Sequence, residues 1–237
     1  MTDSNSAYTV REVFAVAELE RVCQVEQLVW GPNEKVDNAD LFRAIQDEGG
    51  LIMAAEAVDG EFVGMLFGFP TRDPLVQHSH RMGVLHSWRG RGVAEALKLA
   101  QREWCLAHEI TRVRWTFDPL RRTNARLNMI RLGATANRFF EDHYGEEETD
   151  GVMVLTDRVM ADWDLLRVVR PVVLDPELVP IPDNIIALRH ADPRAALAWQ
   201  RRYRSALPDL FAQGLSIVDV VDTPGGETAC AYALIPL

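Results

Sequence analysis

The sequence predicts an α+β protein in which helices surround a central sheet. Asp59-Gly60 lies between two apolar runs, and this dipeptide typically joins two antiparallel strands in a hairpin. Val93, Leu97, Ala100 and Trp104 are spaced at i, i+4, i+7 and i+11, so they form one apolar helix face that can pack on a sheet. Hairpin and helix signals in the same part of the chain favour a mixed α and β fold.

The remaining elements follow from apolar periodicity and from the residues that end each segment. The expected helices are Phe14–Trp30, Ala39–Asp47, Gly92–His108 and Arg122–Leu132. The expected strands are Tyr8–Val13, two strands within residues 51–69, Leu75–His86, Thr111–Phe117, Ala134–Tyr144 and one strand in DRVMADWDL, residues 157–165. The acidic run GEEETDG, residues 145–151, is expected to be a solvated loop.

A change in composition near residue 166 predicts a domain boundary. Four prolines punctuate residues 170–182, which indicates an extended connection. Asp192-Pro193 supplies an N-cap and a first-turn proline for a helix to about Ala206, and two strands follow. We therefore expect a domain of residues 1–165 and a C-terminal extension of residues 166–237, which packs on that domain or on the partner in a homodimer.

Composition limits the function. The chain has 237 residues, of which 48% are hydrophobic and 25% charged, so it can bury a substantial core. The formal net charge of -10 argues against an extended nucleic-acid-binding surface and favours a small-molecule partner. The absence of a signal-like or membrane-spanning segment predicts a cytoplasmic protein without membrane partners. Three distant cysteines predict free thiols and no metal site.

The stretch Arg89-Gly90-Arg91-Gly92 precedes the helix that begins near Val93. A glycine-rich turn at a helix start leaves backbone N–H groups open at the positive end of the helix dipole, where they can bind phosphate. The two arginines add cationic side chains. The alternative is a solvated turn in which the glycines serve geometry alone.

The pattern Arg89-x-x-Gly92-x-Ala94, with the strand MGVLHSW before it and strand, helix and RLGA after it, resembles the acyl-CoA site of the GNAT superfamily of N-acyltransferases. The resemblance covers residues 8–165 in element order. It implies a splayed, mixed and mostly antiparallel sheet whose opened strands admit the pantetheine arm. It also implies roles for residues that would bind the cofactor. They are the amides of Arg89, Gly90, Arg91, Gly92, Val93 and Ala94 for the pyrophosphate, the backbone of Val84 and Leu85 for the pantetheine and thioester, and Asn124 beside the cofactor arm. Asn124, Asn128 and Arg131 fall at i, i+4 and i+7, so they are expected to share a helix face that lines the cofactor groove or faces solvent.

A narrower resemblance covers almost the whole chain. The segments HSHRMGV, TFDPLRRTNARLNMIRLGA, EDHYG and TDR are similar to a GNAT subgroup that accompanies N-succinylamino acid racemases and acts as amino acid N-succinyltransferases. Members of that subgroup also carry a C-terminal extension. The resemblance implies succinyl-CoA as donor, with acetyl-CoA as the alternative, and an amino acid as acceptor.

Direct acylation of an amine needs a group that removes a proton from the ammonium and, in some enzymes, an acid for the leaving thiolate. His78 and His80 lie two apart on one strand, so they share a face, and Met82 and Val84 are expected to continue it. His80 is the preferred base. In many GNAT enzymes a tyrosine protonates the leaving thiolate at the place where this chain has Asn128-Met129. Tyr144 is therefore the nearest candidate acid. The alternative is that these side chains are structural.

Charged residues could bind the substrates. Asp118 could bind the acceptor amine, and Arg158 could bind a carboxylate, although a turn residue and an ion pair with Asp157 are the alternatives. Arg81, Arg121, Arg122 and Arg158 could recognise the carboxylate of a succinyl donor. The run of residues 201–204 is expected to be a solvated or subunit-facing surface. The predicted function is an acyl-CoA-dependent N-acyltransferase, and the alternatives are an acetyltransferase of small amines or proteins and a non-catalytic acyl-CoA-binding module.

Overall fold

The computed structural model describes residues 7–32, 35–149, 152–167 and 171–237. The chain divides into two compact units, Met1–Arg114 and Trp115–Leu237. The division falls inside a strand, so it differs from the boundary expected near residue 166, which stays a prediction. Within the described segments, no helix is long and apolar enough to cross a membrane.

The first unit contains a sheet with helices on both faces. Its strands are β1 (Tyr8–Glu12), β2 (Leu51–Ala57), β3 (Phe62–Pro70), β4 (Val76–Val84) and the first half of β5 (Arg112–Phe117), in that order across the sheet. Its helices are α1 (Val16–Trp30), α2 (Ala39–Asp47) and α3 (Val93–Ala107), and a 3₁₀ turn covers His86–Trp88. Neighbouring strands are antiparallel except β4 and β5, which are parallel and pair through Val76–His78 and Arg112–Arg114.

Two apolar clusters hold these helices to the sheet. Leu19, Val22 and Val25 of α1 pack with one face of β2 and β3, and Val93 and Leu97 of α3 pack on the opposite face. The helices lie close to the strands because glycine stands at the contact points. A Cβ on Gly64 would lie 3.0 Å from Val93, and one on Gly83 would lie 3.0 Å from Trp30. Any larger residue at these two positions would push the helices away from the strands.

The second unit contains the other strands and helices. Its strands after β5 are β6 (Thr135–Phe140), β7 (Glu146–Thr149), β8 (Val152–Leu155), β9 (Arg158–Asp164), β10 (Glu177–Ile181), β11 (Leu215–Asp222) and β12 (Cys230–Pro236). Its helices are α4 (Arg122–Ala125), which continues as a π-helix over Arg126–Arg131, α5 (Ile185–Ala191) and α6 (Pro193–Ala212). The strand order is β9-β6-β11-β12-β10 with antiparallel pairs, and β7 and β8 form a separate hairpin.

The C-terminal segment extends the sheet of the second unit. Ile217 of β11 pairs with Ala136 of β6. Packing of the extension on a partner subunit stays a prediction. Tyr203 and Tyr232 are buried, and their hydroxyls donate to the carbonyls of Pro180 and Pro119, each at 2.8 Å. Burial raises the pKa of both phenols well above the usual value, with Asp118 adding to the effect, so both stay protonated donors.

The α+β class and the mixed, mostly antiparallel sheet flanked by helices are confirmed. Several local predictions are wrong. Residues 146–149 form β7 rather than a loop, because their backbone pairs with β8, although residues 150 and 151 lie outside the described part. The strand expected to reach Tyr144 ends at Phe140. The extended conformation predicted for the proline-rich connection is found in the strand β10. The extension has two helices, and Asp192 caps the second one, α6, as predicted, through the amides of Arg194 and Ala195.

Candidate active site

The turn between β4 and α3 has the open geometry expected of an anion site. Gly90 and Gly92 adopt φ of 76° and 82°, a left-handed conformation that suits glycine. Gly92 is the N-cap residue of α3, and none of the described side chains caps that end of the helix. Among the described residues, a Cβ on Gly92 would come within 4 Å of the Tyr8 hydroxyl alone, at 3.5 Å. The first amides of α3 are therefore available to an anionic ligand, and the residues fit the pyrophosphate of an acyl-CoA.

The two arginines of the turn are exposed but held in place. Arg89 donates through Nε to the carbonyl of Val84 at 3.3 Å, and the Arg91 guanidinium lies 5.0 Å from the centre of the Trp88 ring. Tyr8 packs edge-on against the same ring at 6.2 Å. Both cations therefore stay beside the start of α3, where they favour negative charge.

The expected cofactor contacts of Val84 and Leu85 are limited by bonds that already exist. The Leu85 amide donates to the Val63 carbonyl at 2.9 Å, and the Leu85 carbonyl accepts from the Trp88 amide at 2.9 Å. Since the amide is engaged, the carbonyl of Leu85 has the remaining capacity to bond a pantetheine amide. The roles of Val84 and Leu85 stay predictions.

A β-bulge in β4 changes which residues share a face. Phe67 pairs with Arg81 and Gly68 pairs with Ser79, so His80 is an extra residue in β4. A bulge shifts the alternation of the strand by one residue. Met82 and Val84 consequently pack with the α3 cluster, and the prediction that they continue the histidine face is wrong.

The two histidines lie together, as predicted. Their ring centres are 5.8 Å apart, and both rings contact Phe69, at 4.9 Å for His78 and 5.7 Å for His80. His80 is exposed at the surface, while His78 is half-buried. The pKa of His80 is lowered chiefly because the surrounding apolar groups desolvate the imidazolium, with Asp37 opposing and Arg81 reinforcing the effect. His80 is therefore a neutral imidazole near pH 7 and can accept a proton.

Acidic side chains and Arg81 form a network beside His80 that sequence reasoning missed. Glu26, on α1, is fully buried and accepts the Asp37 amide at 2.9 Å. Arg81 lies 3.6 Å from the Asp37 carboxylate and 4.0 Å from Glu26, and its guanidinium lies 5.2 Å from the Trp30 ring centre. Arg81 is thus engaged within the first unit, and Glu26 gave no signal because an acidic residue in an amphipathic helix normally faces solvent.

In the second unit, Tyr144 lies at the end of a tightly bonded turn. Its hydroxyl is 3.0 Å from the Thr116 hydroxyl, and its side chain is 46% exposed. Its amide donates to the Thr156 hydroxyl at 2.7 Å, and that hydroxyl donates to the Gly145 carbonyl at 2.7 Å. The EDHYG and TDR motifs therefore contact each other, and Thr156 fixes the backbone that presents the phenol.

Asp157 makes an ion pair, but its partner is not Arg158. Arg204 binds Asp157 with two bonds, Nη2 to Oδ1 at 2.7 Å and Nε to Oδ2 at 2.8 Å, while the Asp142 amide donates to Oδ1 at 2.9 Å. The prediction that residues 201–204 form a solvated or subunit-facing surface is therefore wrong for Arg204, which binds Asp157 of its own chain, and for the buried Tyr203. Arg158 donates to the Asp157 carbonyl at 3.1 Å and lies 5.4 Å from the Tyr144 ring centre.

The asparagine helix is less regular than predicted. Arg126–Arg131 forms a π-helix, in which the Leu132 amide donates to the Leu127 carbonyl at 3.0 Å. The wider turn breaks the i, i+4 spacing that was expected to align Asn124 with Asn128. Asn124 is half-buried and Asn128 is 3% exposed. Their cofactor roles stay predictions.

Asp118 has structural partners. Its Oδ2 accepts from Arg189 of α5 at 2.9 Å, and its Oδ1 accepts from the Leu120 amide at 2.9 Å. The ion pair is nearly buried, with side-chain exposures of 7% for Arg189 and 13% for Asp118. Any substrate amine would have to compete with this arginine. Arg122 is likewise paired, with Asp183 at 3.1 Å.

The described residues contain no group of three or more histidine, cysteine or acidic side chains placed to hold a metal ion. Cys23, Cys105 and Cys230 are free thiols, as predicted. Burial raises the pKa of Cys23 to about 11 and that of Cys105 to about 12. Both are therefore protonated and poorly nucleophilic near neutral pH.

Comparisons with known proteins concern the fold and the family of the sequence. Residues 18–133 match the Acetyltransferase (GNAT) family. A phosphinothricin acetyltransferase from Sinorhizobium meliloti, solved with AcCoA, is 14% identical with a TM-score of 0.55, covering 67% of this chain and 89% of its own. An N-acetyltransferase from Staphylococcus aureus Mu50 is 15% identical with a TM-score of 0.56, and the match covers 68% of this chain and 99% of that one.

The ribosomal-protein-S18-alanine N-acetyltransferase from Escherichia coli is 12% identical with a TM-score of 0.55, covering 70% of this chain and 99% of its own. No curated protein sequence matches the chain. At these identities the solved structures establish the fold, and the family match adds the acetyltransferase signature over α1 to the end of the π-helix. This chain therefore has the fold of the GNAT acetyltransferases and carries the family's sequence signature in residues 18–133.

Proposed function

We propose that this protein is an acyl-CoA-dependent N-acyltransferase that acylates the amine of a small molecule, with an amino acid as acceptor and succinyl-CoA as donor. The observation that carries the proposal is the start of α3, where Gly90 and Gly92 leave the helix amides uncapped beside Arg89 and Arg91. The amides of residues 89–94 would hold the pyrophosphate of the donor. The bound donor supplies an activated acyl thioester, and this chain's own residues bind, orient and exchange protons.

His80 is the proposed base. Its imidazole is exposed and its lowered pKa keeps it neutral near pH 7, so it can take the proton that the acceptor ammonium loses. His78 is the second candidate, since its ring lies 5.8 Å away. Direct attack of the amine needs no covalent bond to the enzyme, in keeping with the protonated state of Cys23 and Cys105.

Tyr144 is the proposed acid. Its exposed phenol is hydrogen-bonded to Thr116, and the Thr156 contacts fix its backbone. Asp118 and Arg158 are proposed to contact substrate, with Arg158 the better placed because it lies beside Tyr144 and Asp118 is already bonded to Arg189. A phenol that donates a proton must lie within hydrogen-bonding distance of the leaving group in the bound complex.

Acetyl-CoA is the second candidate donor, because the phosphinothricin acetyltransferase of the same fold was solved with AcCoA. Steady-state kcat/KM values for succinyl-CoA and acetyl-CoA with one amino acid acceptor test the choice. We expect succinyl-CoA to be favoured by about tenfold or more, the value of one charge-assisted contact to its carboxylate. Equal values or an acetyl preference would refute the succinyl assignment. Binding of CoA without turnover of any donor, across amino acids, polyamines and peptides, would refute the enzyme itself.

A further inference from the structure

Five buried polar side chains form a connected chain of hydrogen bonds between α3 and β4. Lys98 Nζ donates to Ser79 Oγ at 2.8 Å and to Gln101 Oε1 at 3.2 Å. Gln101 Nε2 donates to Gln77 Oε1 at 2.6 Å, and the Cys105 thiol contacts the same oxygen at 3.4 Å. All five residues are at most 3% exposed. No step of the proposed reaction uses this cluster, which we call the Lys98 network.

The network is costly for the fold. Burial lowers the pKa of Lys98 to about 7, because the charged ammonium loses its hydration. Val93 and Leu97, on the same buried face of α3, are apolar and pack on the sheet without a desolvation penalty. An apolar side chain at position 98 would also avoid the desolvation, so stability alone does not account for a lysine there.

The network ends at the residue that precedes the β-bulge. Ser79, bonded to Lys98, pairs with Gly68, and the extra residue His80 follows it directly. Before the bulge, Gln77 and Ser79 face α3, while after it Met82 occupies that face. Helix α3 therefore packs on two stretches of β4, a polar one at residues 77–79 and an apolar one at residues 82–84. The alternation of side chains along β4 shifts by one residue between them.

A bulge can move along a strand unless side chains fix its place. The Lys98–Ser79 bond holds Ser79 on the α3 side, opposite Gly68, and Arg81 pairs with Phe67, so the extra residue between them is His80. Gly68 assists, because a Cβ there would lie 2.8 Å from Gln77 Oε1 and would displace the network. We propose that Lys98 is a positioning residue that fixes the bulge at His80 and thereby sets where the imidazole is presented.

This inference rests on the proposed function for its effect on catalysis, but its structural part can be measured separately. The test uses the full chain and long-range ¹H–¹⁵N spectra of the His80 imidazole, recorded against pH in Lys98→Met, Ser79→Ala and wild type. The groups that face His80 are Asp37, Arg81 and His78. None of them is changed in these variants. Ser79→Ala also keeps the Lys98 amine, so a shift in its His80 signals reports the position of the imidazole. Lys98→Met in addition removes a group with a pKa of about 7, so its spectra are compared with those of Ser79→Ala.

We expect both variants to change the His80 tautomer ratio or apparent pKa. We also expect kcat to decrease about tenfold to a hundredfold with little change in KM, because a misplaced group loses orientation. Leu97→Ala is the control, since it weakens the same helix contact without touching Ser79, and its His80 signals should match wild type. Ser79→Ala keeps the test decisive if Lys98→Met does not fold.

Unchanged His80 signals in Ser79→Ala would overturn the inference, as would equal changes in Leu97→Ala. Changed His80 signals in the two variants, together with a wild-type protein that acylates no amine, would support the positioning role and refute the proposed function instead.

Discussion

Lys98 should make the stability of the protein depend on pH in an unusual direction. In the unfolded chain its pKa is near 10.5, and in the fold it is about 7. Between these values the unfolded state holds a proton that the folded state has lost, so the free energy of unfolding rises as pH rises. One pH unit is worth about 1.4 kcal/mol at most. Lys98 is protonated in about half of the folded molecules near pH 7. The free energy of unfolding therefore rises by about 2 kcal/mol from about pH 6 to about pH 8.5.

The assay is urea unfolding of wild type and Lys98→Met at about pH 6, 7, 8 and 8.5. The free-energy difference between the two proteins removes the contribution of every group whose pKa is the same in both, and the His80 titration of each protein corrects for that residue. The Cys105 thiol, whose charge would act on Lys98, has a pKa of about 12 and so stays protonated over this range. Lys98→Met should lose stability relative to wild type by about 2 kcal/mol over this pH interval. A difference that does not change with pH would refute the assignment of a depressed pKa to Lys98.

Three further predictions concern the proposed site. Gly92→Glu should weaken CoA binding by at least about tenfold in calorimetry, because it places a carboxylate at the helix start, whereas Gly49→Glu, at the same φ of 82°, should bind CoA normally. Asp37→Asn should move the acidic limb of kcat/KM to lower pH, because Asp37 raises the pKa of His80; a limb that moves up or stays would contradict the role of His80. Tyr144→Phe should lower kcat about 10²-fold or more if the phenol is the acid, and a loss of only a few fold would leave positioning as its contribution.

Local chemistry made much of the fold predictable. Asp59-Gly60 forms the predicted hairpin, with Gly60 at φ 86° and the Asp59 carboxylate accepting the Glu61 amide at 3.1 Å. Asp192 caps α6, as its side chain and the following proline indicate. Such signals involve residues close in sequence whose geometry depends little on the rest of the chain.

Contacts between residues that are distant in the sequence could not be predicted from local sequence patterns. Arg204 and Asp157 are 47 positions apart, and a run of three arginines around a tyrosine looks the same whether it faces solvent or a buried carboxylate. The π-helix likewise follows from how residues 126–131 pack, because nothing in their composition distinguishes it from an α-helix.

The bulge at His80 was not predicted, although the sequence does carry a signal for it. In β4 the polar residues that face α3 are odd-numbered, Gln77 and Ser79, and the apolar ones are even-numbered, Met82 and Val84. A strict alternation cannot satisfy both sets, so one residue between 79 and 82 must be extra. Reading the two histidines as part of one regular strand hid this change of phase. The same residues that break the pattern present the imidazole, in line with the tendency of local rules to fail at functional positions.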